Sequence, residues 1–93
     1  MSDYDEDSII VTPDATYHGL VQIEAFFAGL MPVFPTDGTT IEMDKMTIEN
    51  ELAYIIWHGK APTVEIPMGT DTFIIKSGKI KLQTFAAVIN PIE

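Results

Sequence analysis

The sequence predicts a small α+β domain in which one main helix packs on an antiparallel sheet of four long strands plus a short N-terminal strand. Three observations carry that reading. Apolar residues recur at helical spacing only between residues 20 and 34. From residue 39 onward the spacing switches to that of extended chain. The segments of this second half are separated by short turns, the arrangement of a meander.

Residues 8–12 (SIIVT) form a short β-branched strand, stopped by Pro13-Asp14. Thr16-Tyr17-His18-Gly19 leads into the helix. Leu20, Ile23, Phe27, Leu30, Met31 and Phe34 share one helical face, with Gln22 and Glu24 turned away, and Pro32 and Pro35 end the run. Phe26 and Val33 widen the stripe, which predicts cover on more than one side of the helix.

After the Asp37-Gly38 turn, four strands are expected over residues 39–49, 51–58, 64–76 and 79–89. Asn50 marks the first turn, residues 59–62 (GKAP) break the chain, and Ser77-Gly78 closes a tight hairpin. Pro67 or Gly69 is expected to kink the third strand. Residues 52–57 (LAYIIW) do not alternate apolar with polar, so both faces of that strand should be buried. One helix covers one face of such a sheet; a second copy of the chain, in a homo-oligomer with a dimer foremost, is the simplest cover for the other.

The 93 residues form a single domain, 1–93, with an acidic N-terminus over residues 1–6 expected to fray. A composition 46% hydrophobic and 20% charged is globular. With no cysteine, the fold has neither disulfides nor thiolate ligands. Fourteen acidic residues against five lysines, and no arginine, give a net charge of −9, which repels phosphate backbones and argues against nucleic acid. The acidic start is unlike a signal peptide, and no apolar run approaches the ~20 residues needed to span a bilayer. A cytoplasmic protein without membrane contact is expected.

Among side chains able to do chemistry, Asp71 stands out. On an extended chain it shares a face with Phe73 and Ile75. Apolar neighbours desolvate a carboxylate, raise its pKa and suit it to proton transfer. The alternative is a carboxylate facing solvent or paired with Lys45 or Lys60. His18, with Tyr17, is placed to border a pocket mouth, and His58 closes a strand at the rim; the competing reading, which the sequence favours for both, is a partly exposed histidine. Two histidines forty residues apart have no metal-ligand spacing, and no phosphate loop or dinucleotide fingerprint is present, so neither metal nor cofactor is expected. Phe27, Trp57, Phe73 and Phe85 are candidates for an apolar ligand pocket, or else for core.

Several stretches resemble the nuclear-transport-factor-2-like superfamily, which includes SnoaL-like and ketosteroid-isomerase-like proteins. Asp7-Ser8-Ile9-Ile10 followed by Tyr17-His18-Gly19 is similar to its lead-in before the third helix, and Ile23-Glu24-Ala25-Phe26-Phe27 to that helix. Residues 53–57 resemble its central strand, and residues 69–80 (GTDTFIIKSGKI) its closing hairpin. The resemblance spans nearly all of residues 7–89. It implies a curved, cone-shaped sheet, here shortened, because the family's two opening helices, which lid the cone, precede the point where this chain starts; either the coding region is shortened or another chain supplies the cover.

By the same resemblance Asp71 matches the general-base position of SnoaL-like cyclases. The steroid-isomerase base would fall near Thr12, which has no useful basicity, and that enzyme's tyrosine lies on the first lid helix, so a steroid-isomerase mechanism is disfavoured. The implied function is a small apolar-ligand domain, an isomerase, cyclase or hydrolase using Asp71 with Tyr17 and His18 as polar partners. The alternative is a non-catalytic association module of the same fold, so whether the protein is an enzyme stays open.

Overall fold

The computed structural model describes residues 3–92. The elements run β1 (Ile9–Val11), β2 (Thr16–His18), α1 (Gly19–Leu30), β3 (Thr40–Glu49), β4 (Leu52–Lys60), β5 (Val64–Lys76) and β6 (Lys79–Pro91). The six strands form one curved, unclosed sheet in the order β2-β1-β6-β5-β4-β3. All neighbours are antiparallel except β1 and β6, which are parallel, so the sheet is mixed. Among the described residues no helix is long and apolar enough to cross a membrane.

The α+β class, the single main helix and the four-strand meander are as the sequence implies, but the strand count is not. Thr16–His18 is a sixth strand rather than a lead-in. Pro13-Asp14 does stop β1, and it does so as the turn of a β1–β2 hairpin. Thr12 Oγ1 accepts the backbone N–H of Asp14 and Ala15, and the Thr12 N–H donates to the Ala15 carbonyl at 2.9 Å. Three residues are too few to show a period. Gly19 then turns the chain at φ +78°, a backbone angle that side chains disfavour, and α1 starts at once.

The helix is shorter than its apolar stripe. Its last residue is Leu30; Met31 still has a helical backbone at φ −57° and ψ −41°, but Pro32 has no N–H to continue the hydrogen-bond ladder. Met31, Val33 and Phe34 therefore belong to the irregular segment after α1, where the Val33 and Phe34 N–H groups still reach the Leu30 carbonyl. Nor is α1 covered on several sides: only Gly19 and Ile23 are buried, and it packs on β1 and β2.

Register shifts lie between Met43 and Lys45, Trp57 and Gly59, Glu65 and Met68, and Ile74 and Ile75. Such bulges bend a strand and increase its twist. The expected kink near Pro67 falls within the third of these. Asn50, at φ +53°, closes the β3–β4 turn, and Ser77-Gly78, both at positive φ, the β5–β6 turn.

Following the register across the sheet gives two faces. The inner face, below α1, contains the row Met46, Ile55, Asp71, Phe85 and the row Met43, Trp57, Gly69, Ala87. The outer face contains the rows Thr47, Tyr54, Thr72, Thr84 and Glu49, Leu52, Ile74, Leu82, Ile9, His18. The expected two-sided burial of β4 is met only at Trp57; Leu52, Tyr54 and Ile56 on the outer face are half-buried. Among the described residues the largest fully buried side chains are Ile10, Ile23, Ile66 and Ser8.

The N-terminal expectation also needs correction. Met1 and Ser2 lie outside the described residues, but residues 3–6 are tied to β6 rather than frayed. The Asp3 carbonyl accepts the Ile80 N–H at 2.7 Å, Lys81 pairs with Asp5, and Ser8 Oγ donates to the Ile80 carbonyl at 2.6 Å.

Candidate functional site

Between α1 and the inner face of the sheet lies an open cavity of about 460 Å³. Phe27, Trp57, Phe73 and Phe85 all line it, together with Asp71. Phe26, Leu30, Met31, Phe34, Ile41, Met43 and Ile55 complete the apolar wall, and Gln83 is the one other polar residue. α1 contributes Phe26 and Phe27 from its inward stripe, and the aromatic side chains bridge a gap that the helix backbone does not close. Phe26 packs edge-on against Phe85 with centroids 6.4 Å apart, and Trp57 stacks near-parallel to Phe85 at 6.3 Å.

Asp71 sits at the centre of β5, flanked by Ile55 on β4 and Phe85 on β6. Its carboxylate accepts two hydrogen bonds. Trp57 Nε1 donates to Oδ1 at 2.9 Å, and Gln83 Nε2 donates to Oδ2 at 2.9 Å. Tyr4 Oη in turn donates to Gln83 Oε1 at 2.5 Å, fixing which end of that amide faces Asp71.

Trp57 reaches Asp71 because its cross-strand neighbour is Gly69. A β-carbon there would stand 2.3 Å from two indole carbons, so only glycine lets the ring lie across β5. Burial pushes the Asp71 pKa above its ordinary value, against the smaller opposing effect of the Trp57 and Gln83 donors. The Tyr4 hydroxyl is pushed up to about 12, by burial first and then by the negative charges of Asp3 and Asp71.

The structure does not bring Tyr17 and His18 to Asp71. Tyr17 packs tilted against Phe26 with centroids 4.7 Å apart and lines a second open groove with Gln22, Ala25 and Gly29, which shares Phe26 and Leu30 with the cavity. His18 belongs to the outer-face row; it is exposed, and its backbone N–H donates to Gln22 Oε1 at 2.8 Å at the start of α1. Adjacent residues of a strand point to opposite faces, so the two cannot act together. The polar partners of Asp71 are instead Trp57 and Gln83, with Tyr4 behind them, and not Lys45 or Lys60. Gln83 carried a signal in sequence, standing two residues from Phe85 and so on the same face; Tyr4, in an acidic run, carried none.

His58 lies at the Trp57/Gly59 register shift and bridges two carboxylates. Its Nδ1 is 2.8 Å from Asp44 and its Nε2 is 2.8 Å from Glu42. The hydrogen bond with Asp44, then that with Glu42, raises its pKa. Among the described residues no group of three or more His, Cys, Asp or Glu side chains is placed to hold a metal ion.

No protein-family model matches the sequence, and no curated protein matches it. Solved structures do. A proposed isomerase of the SnoaL-like family from Agrobacterium tumefaciens superposes over 94% of this chain and 75% of its own, with a TM-score of 0.75 and 18% identity. A proposed SnoaL-like polyketide cyclase from Jannaschia gives a TM-score of 0.79 at 14% identity, over 92% of this chain and 67% of the other. A de novo designed protein with a curved β-sheet gives 0.78 at 14% identity, over 94% and 67%. The chain thus has the fold of the nuclear-transport-factor-2-like superfamily. That a designed protein shares it shows that the fold alone assigns no activity.

Proposed function

We propose that this chain binds a small apolar, ring-containing molecule between α1 and the sheet, with Asp71 as the acid–base group of the site. The observation that supports this most is a half-buried carboxylate standing in an otherwise almost wholly apolar, aromatic-walled cavity. The similarity in fold to proposed SnoaL-like isomerases and cyclases points the same way, toward proton transfer at carbon.

In that chemistry the Asp71 carboxylate takes a proton from an acidic C–H of the ligand. The electron pair of the broken bond passes into the ligand's own conjugated system, and the proton returns from Asp71 at the same or another carbon. Trp57 Nε1–H and one N–H of Gln83 are directed at Asp71, so the second N–H of the Gln83 amide is the one side-chain donor left among the lining residues for an enolate oxygen.

Two measurements test it. The neutral fluorophore N-phenyl-1-naphthylamine is expected to bind one per chain. In D2O the protein is expected to accelerate deuterium uptake at C1 of 2-tetralone, and Asp71→Asn to abolish that acceleration. Failure of the fluorophore to bind removes the cavity reading; exchange that persists in Asp71→Asn removes Asp71 as the base.

A second reading is favoured by the outer face. Leu52, Tyr54, Ile56, Ile74 and Leu82 there are half-buried by one another, with no second layer over them among the described residues. Self-association through this face, as a homodimer, follows. A native mass of one chain at micromolar concentration would count against it.

A further inference from the structure

Resting on the reading of the cavity as a ligand site, the charge of the ligand can be argued from what surrounds Asp71. Its hydrogen-bond donors, Trp57 and Gln83, are both neutral. Among the described residues no ion pair reaches it: Lys81 pairs with Asp5 and Lys76 approaches Glu51 at 4.0 Å. Lys45 stands in an outer-face row, on the opposite side of the sheet from Asp71. An ionised carboxylate in such a place is solvated by dipoles but lacks a countercharge, and an uncompensated, partly buried charge is unfavourable.

The walls supply the complement of a cation. The rings of Trp57 and Phe85 lie near-parallel at 6.3 Å beside Asp71, and Phe26 meets Phe85 edge-on. Aromatic faces attract positive charge, tryptophan most strongly. An anion would meet the reverse: no cationic residue lines the cavity, and the chain's net charge of −9 repels it before contact. A neutral ligand gains the apolar contacts but leaves Asp71 without a countercharge.

We propose that the preferred ligand is a hydrophobic monoamine, a protonated nitrogen on an apolar ring system, with the nitrogen seated at Asp71 and the ring against Trp57 and Phe85. The ammonium group donates to carboxylate lone pairs that Trp57 and Gln83 leave open, and the ring fills the apolar remainder.

The test is calorimetric titration with three ligands that share one ring and differ in charge: 2-naphthylmethylamine, 2-naphthylmethanol and 2-naphthoate, near neutral pH. The amine is expected to bind at least about tenfold tighter than the alcohol, and the naphthoate weakest. Asp71→Asn is expected to close the gap between amine and alcohol, and Phe85→Leu to narrow it. Equal affinity for amine and alcohol overturns the charge preference while leaving the cavity reading intact. An amine preference that persists in Asp71→Asn overturns it too, assigning the effect to net surface charge. Failure of both amine and alcohol to bind overturns this proposal together with the cavity reading on which it rests.

Discussion

The two ends of the sheet carry comparable apolar side chains and surround them very differently. At the β1 end, α1 and the N-terminal segment close over the inner face; Ile10 and Ile23 are fully buried there, and Ser8 is buried with its hydroxyl bonded. Along β3, at the far end, Ile41 is 60% exposed and Ile48 66%, with Met43 and Met46 also exposed. The cause is length. A helix of 12 residues spans about 18 Å, and it lies on β1 and β2. What remains of the inner face, with Asp71 in its middle, is wall rather than core. Apart from Ile66, Ala61 and Trp57, the buried apolar side chains thus sit at one end, and the apolar surface left over at the other is available for binding.

The largest expected effect tests that division. Ile10→Ala and Ile23→Ala should each destabilise by about 2–4 kcal/mol, while Ile48→Ala should stay within about 0.5 kcal/mol, by urea denaturation. Similar losses at all three positions would mean that β3 is covered in solution.

Next in size is Gly69→Ala, at the boundary of the two regions. The new β-carbon displaces the Trp57 ring, breaks its bond to Asp71 and costs about 1–3 kcal/mol. Trp57 is the only tryptophan, so a red shift of its emission in the folded variant reports the displacement directly.

Asp71→Asn should be the reverse, a functional loss without a loss of stability. The folded-state pKa of Asp71 is raised above its unfolded value, so the native state is penalised progressively as pH rises through the folded pKa. The substitution removes that penalty, and an amide flip at Gln83 keeps the chain from Tyr4 through Gln83 to the new side-chain amide bonded. Relative to the parent protein, the variant should be at least as stable at neutral pH, with its advantage shrinking toward about pH 3.5.

The smallest effect is at the exposed rim. The His58 pKa is raised by Asp44 and Glu42, so its contribution is fully present below about pH 6.5 and is lost as pH rises through the folded value. The difference in Tm between the parent protein and His58→Gln should shrink as pH goes from about 5.5 to 8.5. Because the group is exposed, the difference should also fall with added salt.

The same division explains what was legible in the sequence. The period switch after α1, the Asn50 and Ser77-Gly78 turns, and the gathering of Phe27, Trp57, Asp71, Phe73 and Phe85 are local patterns, visible wherever alternation is long enough to count. His18 is turned away from Asp71 because its face is set by pairing with β1, and a three-residue strand shows no alternation of its own; Tyr17 shares the inner face but stands in β2, three strands from β5. The helix end was misplaced because Met31 and Phe34 continue the apolar stripe into a segment that lines the cavity without being helical. Tyr4 was hidden in a run of acids whose composition suggested solvent, and its link to Gln83 spans 79 residues.

The most direct test of the account is the indole N–H of Trp57 in a ¹H–¹⁵N spectrum during titration with N-phenyl-1-naphthylamine. This single resonance reports a proton bonded to Asp71 at the cavity wall. A saturable shift of the indole signal together with the Gln83 side-chain amide is expected, while the backbone signals of outer-face residues Thr47 and Thr72 stay in place. Shifts confined to the outer face, with the Trp57 indole unmoved at saturation, would contradict it.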